Sequence, residues 1–346
     1  MPAILTHEFF GRDAFADVAA QLGMNTPEER DAFLLGNQGP DPLFYLIADP
    51  RVAESNHVGS LMHHVRPAKL LSSLHDALSM LSNAERNVGR AYAAGFLCHY
   101  LLDSSVHPLV FSTEYMLCDA GVNGLDRSDG TPVHAEIERD IDEMVLYRKL
   151  HRTVRSFKPY SEVLRASDQT LAVIDKLYFY MNLWTFSRTL DLDCYTRAVR
   201  AFRRVQRLFY TPAKGKTLVL SPLERALAHR RYSLYAAMSH RNRASEHSDF
   251  ANEEHAVWEN PFTGEPSTES FWDLYEEALS RVFDAERAFF SPGFGELSAE
   301  RLTGNLNFSG QPTDPVRLEE PPAPEPRACV PTQDPAMAQA MPPAGA

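Results

Sequence analysis

Cysteine is scarce in this chain. Its four cysteines are scattered along 346 residues, and no pair has the Cys-x-x-Cys spacing of a zinc knuckle. Their scatter indicates no disulfide framework and is typical of a protein in a reducing compartment. No apolar run approaches the roughly 20 residues of a membrane-spanning helix, and the N-terminus lacks the basic and long apolar regions of a signal peptide. From these absences we expect a cytoplasmic protein.

Positive charge is also in deficit. Lysine and arginine number 34 against 46 aspartates and glutamates, which gives a formal net charge of −12. Such a protein is not expected to bind long nucleic acid, which requires a basic surface. Most of the basic charge falls within residues 197–243, and two interpretations stay open. The segment is either a solvated helix face or a patch that attracts phosphate-bearing substrates or contacts an anionic membrane.

Alternating strand patterns are missing from the first 300 residues, whereas helical periodicity recurs. Hydrophobic residues make up 44% of the chain, which is enough for a substantial core. We therefore predict an all-α protein with a single multi-helix bundle domain over residues 1–308. Residues 309–346 are rich in proline and alanine, and we predict a disordered tail there. The predicted helices span roughly residues 12–22, 28–36, 60–82, 84–105, 134–151, 161–188, 190–210, 222–243 and 268–290.

The chain is well supplied with histidine, and several of its 13 histidines stand at helical spacing from carboxylates. His99, Asp103 and His107 stand at i, i+4 and i+8, and His134 and Glu138 stand at i and i+4. Residues four apart lie on one face of a helix. Buried carboxylates and imidazoles need charged or hydrogen-bonding partners, and zinc accepts both as ligands. The pattern predicts metal binding, with Asp103 placed to bridge two ions as in phosphoryl-transfer sites.

With these motifs the sequence resembles the zinc-dependent phospholipase C and S1/P1 nuclease superfamily, most closely its uncharacterised bacterial intracellular members. The motifs span about residues 1–145, and a weaker resemblance continues near residues 252–261 and in the helix that follows. The resemblance implies an all-α fold that binds two to three zinc ions and hydrolyses phosphoric esters. The shared features are Thr6-His7, Gly39-Pro40-Asp41, a histidine within residues 57–64, His99/Asp103/His107 and His134/Glu138.

The resemblance also implies a ligand set for each ion. A hydroxide bridged between the first and second zincs is the implied nucleophile, because the metals lower the pKa of the bound water. Asp103 is implied to bridge these two ions, and Asp41 could act as the base toward the shared water. The implied sets are Asp41, His63, His99 and Asp103 for the first zinc, and His107, His134 and Glu138 for the third.

The second zinc is implied to take Asp103, His7 and the amine and carbonyl of the first residue. This chain begins Met1-Pro2, and an initiator methionine before proline is commonly removed. Removal would leave Pro2 as the terminal amine, five residues before His7. Secreted relatives begin with a tryptophan, so Pro2 could replace it as a chelator but would offer no aromatic wall.

Other candidates have plainer interpretations. His63 is preferred over His64 for the first zinc, although the sequence leaves that choice open. His75-Asp76 imitates the dyad of HD phosphohydrolases, but it lies in an amphipathic helix and is expected to face solvent. A weak candidate for a second metal site is formed by three histidines of a polar region, His240, His247 and His255. Three aromatic residues could line a cleft or simply pack: Phe111, Tyr115 and Trp258.

The sequence thus predicts a zinc-dependent phosphodiester hydrolase of the phospholipase C type. Its expected partners are phosphate-ester small molecules or phospholipid headgroups, with the inner membrane surface as a further contact. The alternative is a non-catalytic helical protein whose zinc is structural and which binds a partner. Open metal positions favour the enzyme, whereas closed tetrahedral shells favour the structural role.

Overall fold

The structure is built from helices. The computed structural model describes residues 4–48, 57–210, 215–228 and 232–313. Within these ranges the chain forms thirteen α-helices and one short antiparallel hairpin, which confirms the predicted all-α fold. The helices are α1 (Ile4–Leu22), α2 (Pro27–Gly36), α3 (Val58–His64), α4 (Pro67–Ala77), α5 (Arg86–Asp119), α6 (Gly130–Leu150), α7 (Pro159–Glu162), α8 (Asp168–Phe186), α9 (Cys194–Phe209), α10 (Gly215–Ala228), α11 (Leu234–Met238), α12 (Phe271–Phe289) and α13 (Glu296–Thr303). The hairpin pairs β1 (Trp258–Glu259) with β2 (Pro266–Ser267).

Two helices begin at capping residues that the sequence provides. At α2, the Thr26 hydroxyl accepts from the Glu29 N–H, the Glu29 carboxylate accepts from the Thr26 N–H, and Pro27 occupies the first helical position. Ser270 and Asp273 form the same reciprocal pair at the start of α12. The start predicted for α2 is therefore confirmed, and that of α12 lies within a few residues of its predicted position.

The longest helix, α5, spans 34 residues and packs against α1, α2, α6, α8 and α12. Its crossing with α2 is very close. A Cβ atom on Gly36 would lie 2.2 Å from the Tyr92 carbonyl oxygen, and one on Gly95 would lie 2.0 Å from the Phe33 carbonyl oxygen. Only glycine permits such a backbone approach. The crossing fixes the end of α2, and the loop that follows it, against the middle of α5.

Five predicted helices differ from the observed ones. The helix predicted over residues 12–22 begins at Ile4, and the helix predicted over residues 161–188 is divided into α7 and α8. The helix predicted over residues 84–105 continues through Pro108 to Asp119, because packing on several sides holds α5 despite the backbone hydrogen bond that proline removes. The helix predicted over residues 60–82 is interrupted at Arg66, whose φ is 55° and which precedes Pro67. A residue before proline is disfavoured in the α region. In place of the helix predicted over residues 222–243, α10 and α11 are two separate helices.

The segment after α13 folds back onto α5. Phe308 is buried, and its N–H donates to the carbonyl oxygen of His63 over 3.1 Å. A Cβ atom on Gly310, whose φ is +73°, would lie 2.6 Å from the Pro108 ring, so this crossing requires glycine. The described structure therefore continues to Thr313, beyond the predicted domain end at residue 308. The predicted tail from residue 314 onward lies outside the described residues.

The apolar side chains form one continuous core that includes residues from α1 to α13. The described residues all belong to one compact unit, Met1–Asp314. None of the helices in the described ranges combines the length and the apolar character needed to cross a membrane.

Candidate metal centre

One face of α5 carries the first group of predicted ligands. Its members, His99, Asp103 and His107, project from successive turns, as their spacing requires. Nε2 of His99 lies 3.2 Å from Oδ2 of Asp103. On the other side, Nδ1 of His107 lies 3.8 Å from Oδ1 of Asp103. The buried carboxylate of Asp103 therefore stands between two imidazoles.

Three other segments bring further predicted ligands to this face. His7 of α1 places Nε2 3.1 Å from Oδ1 of Asp103, and its ring stacks on that of His99 with 4.2 Å between centroids. Asp41 begins the 3-10 helix Asp41–Ala48, and its Oδ1 lies 3.0 Å from Nε2 of His63 in α3. The same oxygen lies 4.0 Å from Nε2 of His99. We call these residues the N-terminal cluster: His7, Asp41, His63, His99 and Asp103.

A second cluster forms where the same face of α5 meets α6. Oε1 of Glu138 lies 3.3 Å from Nε2 of His107 and 3.4 Å from Nε2 of His134. One carboxylate oxygen thus faces two imidazoles, whose ring centroids are 5.7 Å apart. We call His107, His134 and Glu138 the α6 cluster. Because Asp103 also lies close to His107, it joins the two clusters.

The donor atoms of both clusters fit a metal ion. Among the described residues, buried Nδ1 of His7 has no hydrogen-bond partner, and buried Nε2 of His99 lies 3.2 Å from Oδ2 of Asp103 without the geometry of a hydrogen bond; such atoms are costly to leave unpaired. Imidazole nitrogen and carboxylate oxygen are the ligands that zinc takes from non-cysteine sites. Three groups have ligand atoms within 4.8 Å of one another: His7 with Asp41 and His99; His63 with His99 and Asp103; and His107 with His134 and Glu138.

A surrounding shell of acceptors orients four of the five histidines. In each case Nδ1 donates to an oxygen outside the two clusters. This hydrogen bond directs Nε2 toward the other ligand-type atoms of its cluster. A carboxylate or carbonyl partner of this kind is usual for zinc-bound histidine. The pairs are His63 with the Gly59 carbonyl at 2.7 Å, His99 with the Asn37 carbonyl at 3.0 Å, His107 with the Phe308 carbonyl at 2.7 Å, and His134 with the Glu114 carboxylate at 2.9 Å.

The loop that presents Asp41 is held by three tyrosines. The hydroxyls of Tyr92, Tyr178 and Tyr195 all lie within hydrogen-bond distance of the Gly39 carbonyl oxygen, at 3.3, 2.8 and 3.1 Å. Gly39 has a φ of +48°, and a Cβ atom there would lie 2.3 Å from the imidazole ring of His99. This position therefore requires glycine for both its conformation and its space.

The charged side chains of the two clusters stabilise one another. Burial by itself would raise the pKa of Asp103, but the imidazoles of His107, His99 and His7 outweigh it and hold that pKa well below its ordinary value. Burial lowers the pKa of His107, but Asp103 and Glu138 together raise it to about 9. A proton on His107 thus supplies positive charge beside two buried carboxylates, which is the role that a cation would fill.

The sequence predictions missed the residue that anchors α1. The buried carboxylate of Asp142 accepts from the Leu5 N–H over 3.0 Å and from both the N–H and the hydroxyl of Thr6 over 2.7 Å. It therefore caps α1 from α6 and fixes the turn that carries His7. Asp142 follows Glu138 by four residues, so extending the spacing pattern of α6 by one turn would have found it.

Two other contributions to the site had weaker signals. Glu114 stands on α5 beyond the predicted end of that helix, and its link to His134 depends on how α5 and α6 pack. The segment around Phe308 falls at the predicted end of the domain. It donates to the His63 carbonyl and accepts from His107 Nδ1, so it contacts both clusters. No motif in the sequence indicated either contact.

Seven of the eight cluster residues line one open cleft, and the eighth, His99, is fully buried. Phe44 and Phe111 supply apolar wall, and Ser309 supplies a hydroxyl. Phe111 thus takes the cleft-wall position that the sequence left open. Its ring centroid lies 4.7 Å from that of His134 and 5.4 Å from that of Phe262. The cleft combines ligand-type side chains with apolar surface, as small-molecule sites commonly do.

The remaining candidates lie outside the two clusters. His64 lines the cleft but is exposed and bonds its own helix through the Ser60 carbonyl, whereas His63 faces Asp41. The His75–Asp76 pair lies at the surface, with 3.5 Å between Nδ1 and Oδ1. Pro2 lies outside the described residues. Among the described residues, the metal-compatible groups include none of His240, His247 and His255.

An all-α fold with two histidine–carboxylate clusters on one helix face defines a metal-site protein of the zinc-hydrolase type. More specifically, the chain belongs to the zinc-dependent phospholipase C family: the family model described as zinc dependent phospholipase C matches residues 6–181, about half of the chain. The matched residues include every member of both clusters. No curated protein and no solved structure gives a significant match. The superfamily recognised from the motifs is thereby confirmed, and membership of the family supports a zinc-dependent phosphoesterase.

Proposed function

We propose that this protein hydrolyses phosphodiesters in a phospholipase C-like reaction that depends on two to three zinc ions. The observation that carries the proposal is the convergence of four histidines and three carboxylates of the two clusters on one open cleft, together with the buried His99. Structural zinc sites are closed by four protein ligands, whereas catalytic sites keep a position for water or substrate. Three ligand groups that open onto one cleft favour catalysis.

The proposed ligands follow the two clusters. The first zinc would be held by Asp41, His63, His99 and Asp103, and the third by His107, His134 and Glu138. The second would be held by Asp103, His7 and the terminal amine of Pro2. The anchoring of Leu5 and Thr6 by Asp142 supports the assignment of the second zinc, because it brings the start of α1 to the cleft.

Zinc ions held by these residues would lower the pKa of the attacking water and stabilise negative charge on the phosphoryl oxygens. The chain's own residues supply the geometry. Asp103 is central because it contacts His7, His99 and His107. Asp41 lines the cleft and is proposed to accept a proton from the attacking water. Phe44 and Phe111 shield one side of the cleft from solvent.

The proposed substrates are phosphate-ester small molecules or phospholipid headgroups. The cleft combines ligand-type side chains with apolar wall, as small-molecule sites commonly do, and the net charge of −12 disfavours long nucleic acids. A cytoplasmic location remains part of the proposal.

The test uses zinc-loaded protein and four substrates: bis-p-nitrophenyl phosphate, p-nitrophenyl phosphate, phosphatidylcholine and a short oligonucleotide. We expect hydrolysis of the diester, loss of that activity with a chelator and recovery with zinc. Elemental analysis should give two to three zinc ions per chain. A fully zinc-loaded protein that turns over none of the four substrates would replace this proposal with a structural role for the metal.

A further inference from the structure

The helix α10 carries an exposed apolar face. Leu218, Val219, Leu223 and Leu227 are 76%, 68%, 52% and 73% exposed. Elsewhere in the described residues, most of the large apolar side chains that are exposed lie singly along the chain. Four of them within one helix of 14 residues form a continuous patch, because they lie on adjoining rows of the helix surface.

Basic side chains border this face. At 100° per residue the four apolar side chains span an arc of about 180°, with the exposed Arg225 just outside its Leu218 edge and the exposed Lys216 at its N-terminal end. The Lys216 ammonium donates to the carbonyl oxygens of Arg207 and Tyr210, which holds the start of α10 against the end of α9. The helix α9 adds the exposed side chains of Arg204 and Arg207.

The one carboxylate of α10 points away from the patch. Glu224 accepts from the Ser233 hydroxyl and from the N–H groups of Leu234 and Tyr235, so it caps α11. The exposed face of α10 consequently carries no negative charge. Since the whole chain has a net charge of −12, this local excess of cations stands out from the rest of the surface.

We propose that the exposed face of α10, with its basic borders, docks on the surface of an anionic lipid bilayer. Apolar side chains at the centre and lysine or arginine at the edges are what an interfacial helix uses to enter the headgroup region. A second copy of this chain is a poorer occupant. A two-fold contact would set the patch against itself and bring the cations of both copies together.

A series of contacts joins this surface to the metal centre. Glu224 ties α10 to α11, and Arg139 of α6 donates to the Ala236 carbonyl of α11 over 2.7 Å. One residue before Arg139 is Glu138 of the α6 cluster. Docking would thus hold the helix that carries two proposed ligands near the lipid surface. The patch would bind lipid whether or not the cleft hydrolyses a phosphodiester.

The test is sedimentation of zinc-loaded full-length protein with vesicles. One set contains phosphatidylcholine alone and the other an equimolar mixture with phosphatidylglycerol. We expect binding to the anionic set only, and weaker binding at high salt because charges are screened. The triple variant Leu218→Glu/Leu223→Glu/Leu227→Glu should lower the partition coefficient about tenfold or more.

The matched control is Leu192→Glu/Val257→Glu/Leu297→Glu, which adds the same charge at side chains that are 68%, 75% and 71% exposed elsewhere. It should bind nearly as well as the unaltered protein. Equal loss in both triple variants would overturn the proposal. The proposal would also be overturned if the unaltered protein and the control variant were dimers and the α10 variant were a monomer. In that case the patch would bind a second copy of the chain.

A third arm addresses the acidic residues after Asp314. If those residues covered the patch, a chain ending at Thr313 would bind vesicles far more tightly than the full chain, and the lipid would not be the resident occupant. Both triple variants should hydrolyse the soluble diester at the unaltered rate. Loss of vesicle binding with full diester hydrolysis therefore separates failure of docking from failure of the proposed activity.

Discussion

The two ligand clusters are assembled in different ways. The α6 cluster comes from two consecutive helices, and its members stand within residues 107–138. The N-terminal cluster draws on α1, the 3-10 helix after α2, α3 and α5, so its members are spread over residues 7–103. The first depends on one helix–helix contact, whereas the second depends on four segments meeting at one place.

The two clusters also differ in the groups that accept hydrogen bonds from their histidines. In the N-terminal cluster, His63 and His99 donate to backbone carbonyls, whose positions depend on the path of the chain. In the α6 cluster, His107 also donates to a backbone carbonyl, that of Phe308, but His134 donates to the side chain of Glu114. A substitution can remove a side-chain acceptor cleanly, but a backbone acceptor can be altered only by changing the local conformation. The clusters should therefore fail under different substitutions.

The largest effect is expected from Asp103→Asn, which removes the charge that joins the clusters. Because Asp103 contacts His7, His99 and His107, the variant should lose more zinc than His134→Ala, which affects one ligand group. Activity should fall well beyond 100-fold, since even an outer-shell change costs about 10–100-fold. Elemental analysis and diester hydrolysis measure both. Equal zinc loss in the two variants would show that Asp103 serves a single ion.

The next effect is expected from Gly39→Ala, which should damage only the N-terminal cluster. A left-handed conformation costs a residue with a Cβ about 1–2 kcal/mol, and here the Cβ would also strike the ring of His99. Gly23→Ala is the matched control, because Gly23 has a φ of +71° and open space around it. Only Gly39→Ala should lose zinc. Similar zinc content in both variants would mean that the loop does not position Asp41.

A smaller effect on both clusters is expected from Asn307→Ala. The buried Asn307 side chain accepts from the N–H groups of Ser309 and Gln311, and so holds the turn that presents Phe308. Loss of these bonds should destabilise the fold by about 1–3 kcal/mol and loosen the partners of His63 and His107 together. Thermal melting and zinc titration measure this. A chain ending at Thr313 should behave as the full chain does, and zinc loss from one cluster alone would contradict the shared role.

The smallest effect is expected from Glu114→Gln, which should weaken the α6 cluster alone. Glutamine still accepts from Nδ1 of His134 but carries no charge, so the affinity of one zinc should fall by about tenfold, at the low end for an outer-shell carboxylate. Glu277→Gln, an exposed change on α12, serves as the control. Competition with a chelator measures the loss. Weakening of every zinc to the same degree would show that the two clusters bind metal as one unit.

Part of this site could be predicted from local spacing. The separation of His99, Asp103 and His107 by four residues places them on one helix face whatever the rest of the chain does. The same holds for His134 and Glu138. Asp142 continues that pattern, but a second carboxylate on this face of α6 indicates no particular partner until the structure places the start of α1 beside it.

The sequence by itself determined most of the helical segments, the cap at the start of α2 and the two spacing motifs, because these depend on interactions between residues a few positions apart. Tertiary structure decided which histidine of residues 57–64 faces Asp41, how far α5 extends past Pro108, and that the segment around Phe308 contacts both clusters. These outcomes depend on contacts between segments that are distant in the sequence. Close backbone approaches and backbone hydrogen-bond acceptors decide how those segments pack. The glycine contacts of α2 with α5, and of Gly39 with His99, are of this kind. Local sequence patterns do not predict these contacts.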